Sequence, residues 1–542
     1  MDISRFHVDI WNMIIEELII IIGIRNAALL RTTSKAFDAA IMRAICVSPV
    51  IDIQTDVRFA DDYFLGHMGQ SFLDKIFLGT SRSNKNVKND VLVAIDNVNR
   101  KLDMLTGEMD EMKREKQHLA VAATISPNSC LSFSIRKEYD PEWDAQNIFC
   151  GAIVIGNLPL VKTLLEEHQA LGSPIDMNGV TPYFSRPLVI AAACGHLEIV
   201  RYLLEKGAHS DLLLGCRKSF SEDHSFEMED YSPQECYDFL RRGYHHDIPV
   251  LALSALRAAV LGQHKDVVRE LLLPEYRLPI SKVEFVGTLL AAAGADVELI
   301  HMLVNVMEGK TIPNGRGLIG EMVWLAVLND RQEVVQMLSD EYDLDFHLDP
   351  SDWAAPQVSP LDLAASCGKT DMMRCLIARR ITVHFHNYQN YNEAIDEAAR
   401  KGHEAAVEML CDLGADPAVA LWSAFKHSRP RVTKLVLDKY PDLLDWERGR
   451  EGRMMLCCAV TKKNLSNIEL LVDRGVPLNN GYEDSSQIPI NVAKHGSGQW
   501  VVDYLISLGA QDTDIQECYE DMEVTTHGIF VNERTWQWVS NF

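Results

Sequence analysis

Two short strings in this chain of 542 residues end like a phosphate-binding loop, Gly309-Lys310-Thr311 and Gly368-Lys369-Thr370. Such a loop cradles phosphate with backbone N–H groups and needs a further glycine five positions upstream, on a strand-to-helix turn. Val304 and Leu363 stand there instead. His403-Glu404-Ala405-Ala406-Val407 opens like a zinc-protease helix but carries Val407 where the second histidine ligand belongs. His245-His246 and His384-Phe385-His386 are close pairs without a third ligand at usable spacing. No Gly-x-Ser-x-Gly elbow occurs. The twelve cysteines run from Cys46 to Cys518 without a Cys-x-x-Cys pair, and read as small buried hydrophobes in a reducing compartment. These residues assemble no catalytic constellation, so the expectation is a protein with no enzymatic activity, no cofactor and no metal.

With 52 Lys+Arg against 77 Asp+Glu, the formal charge is −25. A nucleic-acid binder needs a positive face to displace counterions, so that class is set aside. No apolar run approaches the ~20 residues a bilayer span requires, and Leu18–Ile24 lies between Glu17 and Arg25. The first residues lack a basic stretch followed by an apolar one, so no secretory signal is visible. A cytoplasmic or nuclear protein is expected.

Self-similarity is the strongest signal. Pro187-Leu-Val-Ile-Ala-Ala-Ala-Cys-Gly195-His-Leu-Glu-Ile-Val-Arg-Tyr-Leu-Leu-Glu-Lys-Gly207-Ala208 carries a helix-starting proline, a pair of small residues, a Gly-His turn, a second apolar helix and a terminal glycine. Proline suits the first helical turn, where its missing N–H is harmless, and the terminal glycine takes the left-handed conformation that closes a helix. The same grammar recurs with inter-helix turns at 156, 195, 262, 295, 330, 368, 402, 427, 463 and 497. Most spacings fall near ~33 residues. On these motifs residues 148–512 resemble about ten ankyrin repeats, with an insertion at 209–247. The resemblance implies an all-α solenoid of helix-turn-helix repeats with projecting fingers, a fold that binds proteins. The turn near His427 follows its predecessor after only 25 residues and carries Pro430.

Residues 1–45 differ. Ile10, Trp11, Ile14, Ile15 and Leu18 share a helical face, Ile24–Leu30 continue into a second helix, and Thr33–Phe37 open a third. With Asp9-Ile10-Trp11, Leu29-Leu30-Arg31 and Ala36-Phe37, this pattern resembles the F-box-like heads of fungal ankyrin proteins. That resemblance implies docking of a Skp-type adaptor of a cullin ubiquitin ligase through Ile10, Trp11, Ile14 and Leu18. The other reading of the same residues is a helical cap on the repeats. Residues 46–147 read as a helical linker, with residues 85–122 as one amphipathic helix joining head to array.

The candidate client surface is the set of fingers that carry aromatics outside the helical period. These are Trp353, the run His384, Phe385, His386, Tyr388 and Tyr391, and Trp446. Such residues supply large contact areas and adaptable hydrogen bonds. Residues 513–542, acidic and then aromatic, read as a cap or tail. Two functions remain open from the sequence: a substrate receptor that brings a protein client to a ligase, and a ligase-independent scaffold or inhibitor.

Overall fold

The computed structural model describes residues 8–31, 34–47, 70–83, 90–131, 140–170, 175–209, 254–276, 282–306, 312, 316–342, 359–381, 391–443, 450–479 and 488–512. Helices joined by turns and loops make up the described residues, without a strand. The chain divides into two compact units, 1–318 and 319–542.

The first unit opens with α1 (Val8–Leu30), α2 (Lys35–Val47) and α3 (Gln70–Ser83). Where the sequence suggests two helices before Thr33, the chain runs as one helix through Gly23. A lone interior glycine costs about 1 kcal/mol, too little to end a helix with strong formers on both sides. Ser34 caps α2 through its hydroxyl, which accepts from Phe37 N at 3.2 Å. Ile15, Ile19, Ala27, Ile41, Ala44, Ile45 and Ile76 form a core shared by the three helices. Trp11 packs edge-on against Phe37 with ring centroids 5.4 Å apart.

Residues 85–122 form no single helix. Asp90–Thr106 (α4) and Glu111–Leu131 (α5) fold into a hairpin. Gly107 takes a left-handed φ of +58°, and Asp110 then caps α5 by accepting from Met112 N at 2.9 Å. Ile95, Val98 and Leu102 are buried as their spacing implies, whereas Leu105 near the end of α4, Met109 in the turn and Met112 in α5 are exposed. Arg82, Asp103 and His118 clasp α3, α4 and α5 together. The imidazole meets Asp103 Oδ1 at 2.8 Å through Nε2 and Arg82 Nη2 at 2.5 Å through Nδ1.

Helix hairpins follow. In the first unit they are α6 (Asp144–Val154) with α7 (Leu158–Ala170), α8 (Pro187–Ala193) with α9 (Leu197–Glu205), α10 (Ala255–Leu261) with α11 (Lys265–Leu271), and α12 (Lys282–Ala293) with α13 (Val297–Asn305). The α4–α5 hairpin packs on α6 as these pack on one another. The division between units falls in the first turn of α14 (Arg316–Leu328), which pairs with α15 (Gln332–Glu341). The second unit continues with α16 (Pro360–Ser366) and α17 (Thr370–Ala378), α18 (Asn392–Lys401) and α19 (Glu404–Asp412), and α20 (Pro417–Lys426) and α21 (Pro430–Lys439). It closes with α22 (Arg450–Thr461) and α23 (Leu465–Asp473), then α24 (Pro489–Gly496) and α25 (Gln499–Ser507).

Within each unit first helices pack on first helices and second on second. Pro187, Pro360, Pro417, Pro430 and Pro489 all sit in the first turn of a helix, so Pro430 begins α21 rather than disturbing it. The short spacing before His427 has a simple origin. Only Leu413–Asp416 separate α19 from α20, so no finger projects there.

One device recurs at the turns of many hairpins. A helix ends with carbonyls that lack intrahelical donors. Here the next hairpin supplies them. His196 Nε2 donates to Val154 O at 3.0 Å, and His264 Nε2 to Ala193 O at 3.0 Å. In the second unit His403 Nε2 donates to Ser366 O at 2.9 Å, Arg429 Nε to Arg400 O at 2.9 Å and Ser497 Oγ to Val460 O at 2.9 Å. Lys462 reaches Lys426 O in the same way. Gly368 shows why glycine suits the position beneath such a donor. Its φ is +70°, and a Cβ there would lie 2.5 Å from His403 Nδ1.

Candidate partner-binding surfaces

Of the finger residues singled out by sequence, Trp353, His384, Phe385, His386, Tyr388 and Trp446 lie outside the described residues, as does the Gly309-Lys310-Thr311 string. Tyr391 is described. It sits half-buried immediately before α18, and its carbonyl accepts from Ile395 N at 2.9 Å. Asn392 beside it accepts from Asp416 N at 2.9 Å, which ties the foot of this finger to the next hairpin. Other feet are held likewise. Gln146 and Asp176 exchange two hydrogen bonds of 2.9 and 3.1 Å, Asn178 accepts from His209 N at 2.8 Å, and Asn479 accepts from Gln511 N at 2.8 Å. Amide side chains suit this position because each offers both a donor and an acceptor.

The finger before α8 is described through residues 175–186. Its aromatics turn inward: Tyr183 and Phe184 are buried, folded back by a turn in which Thr181 Oγ1 accepts from both of their N–H groups at 3.2 and 2.9 Å. Val180 is its exposed apolar residue.

Strings that mimic catalytic motifs are otherwise engaged. Lys369 donates to Val327 O at 3.1 Å and Leu328 O at 2.6 Å, and His403 is committed to Ser366 O. Burial pushes the thiols up, Cys194 to about 11 and Cys457 to about 12, where they are protonated and unreactive. Among the described residues no group of three His, Cys, Asp or Glu side chains converges as a ligand set.

One titratable group on a first helix stands out. Asp362 follows Ser359 in a reciprocal cap of α16, whose hydroxyl accepts from Asp362 N at 3.0 Å. Asp362 is only 5 % exposed, and its Oδ1 finds no hydrogen-bond partner among the described residues. Burial raises its carboxyl to about 6, opposed by Ser359 and assisted by Glu393 and Glu397 on the neighbouring α18.

The four head residues split. Trp11 and Leu18 pack against the core of α1–α3. Ile10 and Ile14 are 51 % and 43 % exposed, beside Met13 at 64 % and Ile20 at 61 %. Sequence periodicity placed all four on one face. The long α1 separates them, because a helix sandwiched on one side only leaves the flank of its apolar stripe in water.

Against known proteins, residues 118–212 match the family of ankyrin repeats, in three copies. That match begins inside α5, ahead of residue 148. A stretch of 98 residues is 33% identical to alpha-latrocrustotoxin-Lt1a of Latrodectus tredecimguttatus; it covers 17% of this chain and spans 6% of the toxin's length. Among solved structures, the ankyrin repeat domain of human ASB11 aligns at 15% identity over 67% of this chain and 99% of that one, with a TM-score of 0.16, too low to superpose the backbones as one body. The family match over residues 118–212 and the packed helix hairpins give an all-α ankyrin-repeat fold, an architecture of protein–protein interaction. No described helix is long and apolar enough to cross a membrane.

Proposed function

We propose that this chain is a non-catalytic receptor in the cytoplasm or nucleus that holds a protein client on its ankyrin fingers and docks a Skp-type adaptor of a cullin ubiquitin ligase through its N-terminal head. The observation that carries the adaptor step is the exposed row Ile10, Met13, Ile14 and Ile20 on α1, next to residues that the core does bury. An apolar row of this kind marks a surface that a partner covers. The client surface is supported by the foot of the finger before α18, where Asn392 accepts from Asp416 N at 2.9 Å, and by the sequence of the fingers, which supplies Trp353, Phe385, Tyr388 and Trp446.

The test is co-purification of the intact chain with a Skp-type adaptor. Binding is expected, and Ile10→Asp with Ile14→Asp should abolish it without lowering the melting temperature, since both side chains already face water. An intact chain that retains no adaptor sinks the ligase reading.

A second reading is favoured by a separate observation. Helix α3 packs on α2 as well as on α4 and α5, so it joins the head to the first unit's hairpins. On this reading the chain is a scaffold or inhibitor and the head, α1 and α2, is a cap. Ile19→Ala, inside the head core, should then unfold the first unit's hairpins together with the head. Hydrogen exchange that accelerates in the head alone counts against it.

A further inference from the structure

We infer that the turn edge of the second unit is a docking surface for an acidic segment of another protein, distinct from the fingers. On a chain of net charge −25, Lys401, Lys426, Arg429, Arg431, Lys462 and Lys463 gather at the successive turns between α18 and α19, α20 and α21, and α22 and α23. All six are exposed, and no described carboxylate lies within ion-pair distance of them. The turns adjoin one another directly: Arg429 donates to Arg400 O at 2.9 Å, and Lys462 reaches Lys426 O. The field they make is felt by His427, whose imidazole is held below its ordinary range by burial and then by Lys462, Arg400 and Lys426. Acids do occur here. Glu397 is engaged by Arg400, Asp396 lies near His427, and Glu404 opens α19.

The edge continues to the turn between α24 and α25, where Trp500 is 50 % exposed beside Gly498. Packed helices lie about 8–10 Å apart, so four turns cover roughly 30 Å, the length of about nine extended residues. A basic strip ending on an exposed Trp fits a short acidic segment with one large apolar residue, because aromatic anchors and complementary charge are what such contacts use. A long nucleic acid fits less well. Phosphates that run past the strip come within a Debye length of ~8–10 Å of the rest of this acidic chain, and are repelled there.

The chain's own residues 513–542 begin acidic and are a rival occupant. Helix α25 carries the chain only about 13 Å from this edge before they begin, within easy reach of a segment of that length, so the test must separate the two occupants.

The test uses the full chain and a fluorescein-labelled peptide of alternating Glu and Ser with one central Phe, read by anisotropy. We expect binding that weakens as NaCl rises and no binding of the same peptide with Gln for Glu. Lys426→Glu, Arg431→Glu and Lys463→Glu together should weaken binding about tenfold or more. Lys35→Glu, Lys101→Glu and Lys116→Glu together, which alter net charge equally, should leave it unchanged, and both variants should melt like the parent. The proposal is overturned if the acidic peptide does not bind, if the two triple variants bind alike, or if single-stranded DNA of matched length binds more tightly than the peptide. It is also overturned in favour of the chain's own tail if binding appears only after Asp514, Glu517, Glu520, Asp521 and Glu523 are changed to their amides.

Discussion

Asp362 shows how one side chain trades stability for position. Its folded-state carboxyl titrates at about 6 against an ordinary 3.8, with burial as the main cause. A carboxyl raised on folding makes the charged form the costly one. The penalty is therefore complete above about pH 6 and gone below about pH 4. Asp362→Asn should stabilise the second unit by about 2–3 kcal/mol near pH 7.5 and by nothing near pH 4, read from thermal melts across pH. Destabilisation of equal size at both pH values would mean that the carboxylate is needed for the cap instead. Gly368 is a second residue where geometry sets the outcome. Gly368→Ala meets both the left-handed φ and the His403 ring, and should cost about 1–3 kcal/mol. Gly207→Ala, with φ +88° and no atom within 4 Å of its Cβ, should cost only the backbone part, about 1 kcal/mol. Equal losses at the two sites would remove the imidazole from the explanation.

At the level of elements, helices and fingers are expected to divide the labour. Leu376 on α17 is fully buried, and Leu376→Ala should cost about 2–5 kcal/mol through the cavity it leaves. Phe385→Ala with Tyr388→Ala should leave the melting temperature nearly unchanged while weakening client binding by about 2 kcal/mol, roughly thirtyfold. A double variant that unfolds the hairpins while keeping its affinity per folded molecule makes these rings packing residues. The buried Tyr183 and Phe184 of the finger before α8 show what that alternative looks like. The hairpins were legible because their punctuation is local: a proline in the first turn, a left-handed residue between helices, a glycine after the second. The α4–α5 hairpin was not, because Met109 and Met112 continue the helical spacing across the break and only Gly107 and Asp110 betray it. The head misled for the opposite reason, as Gly23 looks like a stop that neighbouring residues override. For the candidate site, apolar periodicity found the α1 stripe but had no means of separating Ile10 and Ile14 from Trp11 and Leu18. That division depends on where α2 and α3 lie. The basic turn edge was missed because its residues are scattered over some sixty positions and meet only once the hairpins stack.

Across the molecule, stability in a repeat stack passes between neighbours. Within the second unit, Leu376→Ala should therefore speed amide exchange most in α16 and α17, next in the flanking hairpins α14–α15 and α18–α19, and least in α24–α25. Uniform acceleration through the unit would show that it unfolds as one block. Ion pairs between successive second helices, such as Arg269 with Glu298 at 2.8 Å, add little to this coupling where both partners face solvent. The turn bonds differ in kind. In those that join neighbouring hairpins, the donor belongs to the later hairpin and the acceptor to the earlier one. This gives the stack a polarity along the direction of synthesis. On the ribosome, a freshly made hairpin exposes the carbonyls at the end of its first helix until the following turn has emerged. Completion of each repeat should thus lag one repeat behind the growing chain, and the nascent end is the face that a chaperone would meet.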